Sequence, residues 1–170
     1  MLCKIIGAIL ILLSCGATGF YIAGEYIKEE TLLRNLAHVV DFMKCELQYR
    51  LTPLPELCRK SADETINPLR SIFVQLSSYL DSNTSSDVTS CMNTVLAASN
   101  KLTPKCSEAM GMLGNCLGRF DLDGQLHGLE AVHDQCEKNL DVLLKDKQNR
   151  TRQYQTLGLC AGAALIIILL

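Results

Sequence analysis

The chain has 170 residues and no tryptophan, and aromatic side chains make up only 5% of it. Strands draw on aromatic and β-branched residues to cover a pleated surface, so this scarcity argues against a sheet protein. No segment alternates apolar and polar residues between turn signals, which removes the remaining strand candidates. Charge of one sign is not in excess either. A formal net charge of -2, with 20% charged residues, gives no basic field for nucleic acid. Catalytic and metal-binding signatures are missing as well. There is no GxxxxGK[ST], GxSxG or HExxH. The nine cysteines form no CxxC, and none stands at metal-ligand spacing from a histidine. The expectation is a protein without catalysis, cofactor, metal or nucleic-acid partner.

Two further metal readings fail on spacing. Asp121-Leu122-Asp123-Gly124 opens like a calcium loop, but the glycine comes too early and no glutamate closes the twelfth position; capping of a helix explains it better. His127 and His133 are six residues apart, more than 100° round a helix, and His133 shares a face with Glu137 as a surface pair. Six cysteines (Cys45, Cys58, Cys91, Cys106, Cys116, Cys136) fall mostly on apolar helix faces and read as reduced, buried thiols. Cys3, Cys15 and Cys160 lie in or beside apolar stretches.

Those stretches are what the chain has in place of motifs. Ile5 to Gly24 is uncharged and, as a helix, spans about 30 Å, the thickness of a bilayer core. Leu157 to Leu170 is a second apolar block of about 21 Å, with Tyr154, Gln155 and Thr156 as an interfacial lead-in. The organisation expected is a transmembrane helix over 1–27, a helical bundle over 28–153 and a second transmembrane helix over 154–170. Lys28, Arg34, Lys145, Lys147, Arg150 and Arg152 flank the inner ends of the blocks, which places the central bundle in the cytosol. Gly158 and Gly162 form a GxxxG, a face that admits a close helix partner in lipid, either a second copy of the chain or another membrane component. The competing reading takes Leu12-Leu13-Ser14-Cys15 as a lipobox. The chain would then be a lipid-anchored, extracytoplasmic binding protein with disulfides in its core.

Between the blocks the apolar spacing marks six helices. The first continues from the first block to about Tyr49, with Leu32, Leu33, Leu36, Val39, Val40, Met43 and Leu47 inward. Thr52-Pro53-Leu54-Pro55 breaks it, Thr52 capping and Pro53 opening the second helix. Asn67-Pro68 repeats that signal for the third, and residues 81–86 form a loop that contains the triplet Asn83-Thr84-Ser85. A fourth helix carries Val88, Cys91, Met92 and Val95. A fifth starts at Thr103-Pro104, and a sixth at Asp121 runs on through Arg152 into the second block. Leu113, Gly114, Leu117 and Gly118 make a small-residue face suited to close packing, within the bundle or between protomers. Tyr49 to Pro55 reads either as a structural turn or as an exposed recognition corner.

Several stretches, in order and over essentially the whole chain, resemble the stage III sporulation protein AB family of endospore-forming bacteria. They are Ile5-Ile6-Gly7, Gly19-Phe20-Tyr21, Glu46-Leu47-Gln48-Tyr49 followed by Thr52-Pro53-Leu54-Pro55-Glu56-Leu57, Asn67-Pro68-Leu69, Leu113-Gly114 through Leu117-Gly118 to Asp121 and Gln125, and Tyr154 to Gly158. That family looks like one cytoplasmic unit of the inner-membrane platform protein of type II secretion and type IV pilus systems. The resemblance implies an all-α, cytoplasmic bundle flanked by two transmembrane helices, in the mother-cell membrane around the forespore. It would serve as a scaffold in the channel complex between the two cells. The implied partners are the complex's cytosolic ATPase and its other membrane components. Candidate partner-binding residues are Glu46, Tyr49, Thr52, Pro53, Leu54, Pro55, Gly114, Gly118, Asp121 and Gln125. The cysteine-rich composition departs from the family's pattern.

Overall fold

A computed structural model describes the backbone of residues 2–82, 87–99, 101–118 and 121–169, and side chains over 24–82, 87–99, 101–118 and 121–147. Among these residues there are six helices and no strand. They are α1 (Leu2–Arg50), α2 (Leu54–Asp63), α3 (Leu69–Asp81), α4 (Val88–Ala98), α5 (Pro104–Cys116) and α6 (Leu122–Leu169).

The two long helices, α1 and α6, form the most extensive helix pair. Three side-chain contacts show how they run: Glu30 to Lys147 at 3.4 Å, Asp41 to His133 at 3.4 Å and Lys44 to Glu130 at 4.0 Å. Numbers rise along one helix as they fall along the other, so the pair is antiparallel. Residues 24 and 147 therefore leave the bundle at one end, the base. Arg50 and Leu122 lie at the other end, the tip. The short helices pack in succession, α2 on α3, α3 on α4, α4 on α5 and α5 on α6, with α2 and α5 also touching α1.

The core follows the apolar spacing closely. Leu33, Leu36, Val39, Val40 and Met43 of α1 are fully buried against Leu57, Phe73, Leu76, Met92, Met110, Leu113, Leu129 and Val132. Each such side chain contributes about 1.5–3 kcal/mol by leaving water. Leu54, Leu80, Leu96 and Leu126 sit at the margin of that core and are only partly buried. Cys58, Cys91, Cys106 and Cys136 are buried, Cys116 is half-buried and Cys45 is exposed.

Helix starts depart from expectation at two places. Thr52 does not cap α2. Pro53 holds the cap position, its carbonyl accepts the Leu57 N–H at 2.8 Å, and Thr52 turns toward Glu46 instead. Asn67 does not cap α3 either; the Asn67–Pro68 peptide is cis and Pro68 takes the cap position with no side-chain bond. The fifth helix starts as expected, with Thr103 at the cap position and Pro104 after it, although the Thr103 hydroxyl is buried without a hydrogen-bond partner. By contrast, Asp87 caps α4 through the Thr89 N–H at 3.2 Å. His133 pairs with Asp41 across to α1 rather than with Glu137, because the α1–α6 seam brings that carboxylate within reach.

The boundaries expected at 27/28 and 153/154 fall inside α1 and α6, so helix runs unbroken from the bundle into both apolar blocks. Among the described residues no helix is long and apolar enough to cross a membrane. The first block up to residue 23, the lipobox-like segment, the second block with Gly158 and Gly162, and the Asn83-Thr84-Ser85 triplet all lie outside the residues described in side-chain detail.

Candidate functional site

Glu46 stands in the last turn of α1 and is only 6% exposed. Two effects oppose a carboxylate there: burial removes its hydration, and the helix C-terminus already carries partial negative charge. Three donors from three places offset both. Arg50 Nη1 donates to Oε1 at 3.0 Å, one helical turn on. Thr52 Oγ donates to Oε2 at 2.8 Å from the connecting turn, and Lys60 Nζ donates to the same oxygen at 2.9 Å from α2. Lys60 also lies 3.4 Å from Glu56 Oε1. The hydrogen bonds from Lys60 and Thr52 hold the Glu46 carboxyl below the ordinary carboxylate pKa, and the ammonium of Lys60 is in turn raised by Glu46.

The backbone reverses between these donors. Leu51 ends α1 with φ +50°, in the left-handed region that glycine or asparagine normally supplies at a helix C-terminus. Its side chain is 66% exposed, and that of Tyr49 78%, the two highest values among the exposed large hydrophobics described. Pro53 and Glu56 are also exposed, while Leu54 and Pro55 are half-buried. The segment is thus both a structural turn, through Glu46 and Thr52, and an exposed corner, through Tyr49, Leu51 and Pro53.

The α5–α6 turn adjoins this corner. Gly118 has φ +77°, and a Cβ placed there would lie 2.7 Å from Val88 Cγ2 and 3.4 Å from Leu54 Cδ2. Gly118 lies beyond the end of α5, so it is not part of a helix face as expected; it lets the chain turn against Leu54. Asp121 starts α6: its Oδ1 accepts the Gly124 N–H at 3.1 Å and its carbonyl accepts the Gln125 N–H at 2.9 Å. Its carboxylate is therefore a cap, and among the described residues no group of three His, Cys, Asp or Glu is placed to hold a metal ion. Gln125 is half-buried at the same end of the molecule. Gly114 stands apart from the corner, inside the bundle, where a Cβ would come within 2.7 Å of Met92 Cβ and Cγ. It lets α4 and α5 pack closely within one chain, and Thr89 Oγ donates to its carbonyl at 3.3 Å.

The structure therefore joins Glu46 with Thr52 and Leu54 with Gly118, sets Tyr49, Pro53, Asp121 and Gln125 at the same tip, and separates Gly114 from them. Sequence reasoning missed Arg50, Leu51 and Lys60. The i, i+4 spacing of Glu46 and Arg50 was an available signal. Lys60 carried none, because its approach depends on how α2 folds back.

Burial pushes the thiols of Cys58 and Cys106 up to about 12 and that of Cys136 to about 11, so at neutral pH they remain protonated.

A family model described as stage III sporulation protein AB matches residues 4–170. The chain belongs to the stage III sporulation protein AB family. Its role is thereby tied to sporulation. The stage III sporulation protein AB of Bacillus subtilis (strain 168) is 24% identical over 169 residues, covering 98% of this chain and 99% of that protein. A solved structure of a stage III sporulation protein AB superposes with a TM-score of 0.62 at 18% identity, over 72% of this chain and 98% of its own. That likeness establishes the shared helical fold.

Proposed function

We propose that this stage III sporulation protein AB is a non-catalytic platform component of the mother cell–forespore channel complex. In this reading the apolar blocks are two transmembrane helices, the bundle stands in the mother-cell cytosol, and its tip docks the complex's cytosolic ATPase. The observation that carries the reading is the exposed Tyr49–Leu51 corner, stapled by Glu46 at the end of the bundle opposite the two apolar blocks. A coupling element must reach from a membrane to a soluble motor without bending. The unbroken α1 and α6, paired antiparallel, suit that task. The platform proteins of secretion and pilus systems, which the family resembles, do work of this kind. Flanking Lys28, Arg34, Lys145, Lys147, Arg150 and Arg152 support the cytosolic orientation.

Cys45 offers a test of orientation, being the exposed thiol among the described cysteines and one turn from Tyr49. A membrane-impermeant maleimide should label Cys45 in inverted membrane vesicles carrying the full-length chain and spare it in right-side-out vesicles. Labelling in right-side-out vesicles alone sinks the platform reading in favour of an extracytoplasmic, lipid-anchored protein.

A further inference from the structure

The α1–α2 corner contains two choices that local physical chemistry disfavours. A carboxylate is buried at the negative end of a helix, where an apolar side chain would pack at lower cost. A leucine occupies a left-handed position that glycine fills without steric penalty, and the leucine gains little from it because it is mostly exposed. Neither choice serves the core, and departures of this kind concentrate where a surface has a task. They also explain each other. The three donors to Glu46 come from the end of α1, the turn and α2; Arg50 reaches it along α1, but Thr52 and Lys60 reach it only if the chain reverses sharply between Arg50 and Thr52. The left-handed Leu51 makes that reversal.

We infer that Glu46 is the positioning residue of the tip: its carboxylate holds the turn in the conformation that presents Tyr49 and Leu51 together to a protein partner. The presentation rests on the docking reading above; the hold of Glu46 on the turn does not. Lys60 acts as the strap from α2, Thr52 fixes the turn itself, and Arg50 neutralises the other carboxylate oxygen from within α1. Without the charge on Glu46, Leu51 relaxes to ordinary backbone angles and the two exposed side chains separate.

Amide hydrogen exchange on the full-length chain in nanodiscs, read by mass spectrometry, tests this. Glu46→Gln keeps the shape and removes the charge. It should speed exchange at Leu57, whose N–H donates to the Pro53 carbonyl at 2.8 Å, by about fivefold to tenfold, with α3 to α6 unchanged. Adding Leu51→Gly to Glu46→Gln should restore protection, because glycine adopts the turn without being forced. A merely structural loss would not be rescued by removing a side chain. Unchanged exchange at the corner in Glu46→Gln overturns the inference. So does an increase spread over the whole bundle, or a corner that Leu51→Gly fails to rescue. Failure of the docking reading looks different: Tyr49→Ala would bind the ATPase as tightly as wild type while the exchange results stood.

Discussion

At the scale of residues, two positions at the tip carry opposite signs. Leu51 sits at φ +50° with most of its side chain in solvent. Leu51→Gly should therefore raise the melting free energy, by about 0.5–1 kcal/mol, since the steric cost of the left-handed region disappears and little burial is lost. A chemical denaturation series on the full-length chain in detergent checks it. A fall in stability instead would mean that Leu51 packs on something. Glu46 governs the response to acid. Its folded pKa is depressed below 4.5, chiefly by the hydrogen bonds from Lys60 and Thr52. Unfolding raises that pKa back to its ordinary value, so the stabilisation is complete above about 4.5 and is lost as pH falls through the depressed folded value. Exchange at the corner, corrected for intrinsic rates, should lose protection in that window in wild type but stay level in Glu46→Gln.

At the scale of elements, glycines separate close packing from plain helix. Gly114 and Gly111 both lie in α5, yet a methyl at 114 meets Met92 Cβ and Cγ at 2.7 Å and one at 111 meets nothing within 4 Å. Gly114→Ala should destabilise by about 1–2 kcal/mol, overpacking outweighing the better helix former. Gly111→Ala should stabilise by about 0.5–1 kcal/mol. Thermal melts of the two variants in parallel decide it. This pair also shows what was legible in the sequence. The six helices, the inward residues of α1 and the run of α6 through Arg152 follow from spacing alone, because burial at every third or fourth position writes itself into composition. The starts of α2 and α3 do not. Thr52 and Asn67 match capping patterns, but Thr52 is drawn away by a carboxylate six residues earlier, and that competition depends on tertiary placement. Gly118 was misassigned for a related reason: a glycine at helical spacing looks the same whether it lies on a helix or just beyond its end. The corner's recognition role was half legible. Tyr49 and Pro53 stood out as a break, while Lys60 entered only once α2 had folded back.

At the scale of the whole molecule, the antiparallel α1–α6 pair turns local features into a polarity. Glu30, held by Arg34 and Lys147, ties the two helices at the base, where both continue toward apolar blocks. Tyr49 and Leu51 stand at the tip, about 33 Å from Ile27 as measured along α1. Ile27 is also exposed, at 55%, which makes it a control for apolar exposure without the corner. The most direct measurement of the central claim is the affinity of the full-length chain, held in nanodiscs, for the purified ATPase of its own complex. Tyr49→Ala should weaken it at least about tenfold, the loss expected of a tyrosine anchor, with helicity unchanged. Ile27→Ala should leave it within about twofold, the scatter of energetically neutral positions. Equal affinity of wild type and Tyr49→Ala, or a loss confined to Ile27→Ala, would contradict the assignment of the tip as the docking surface.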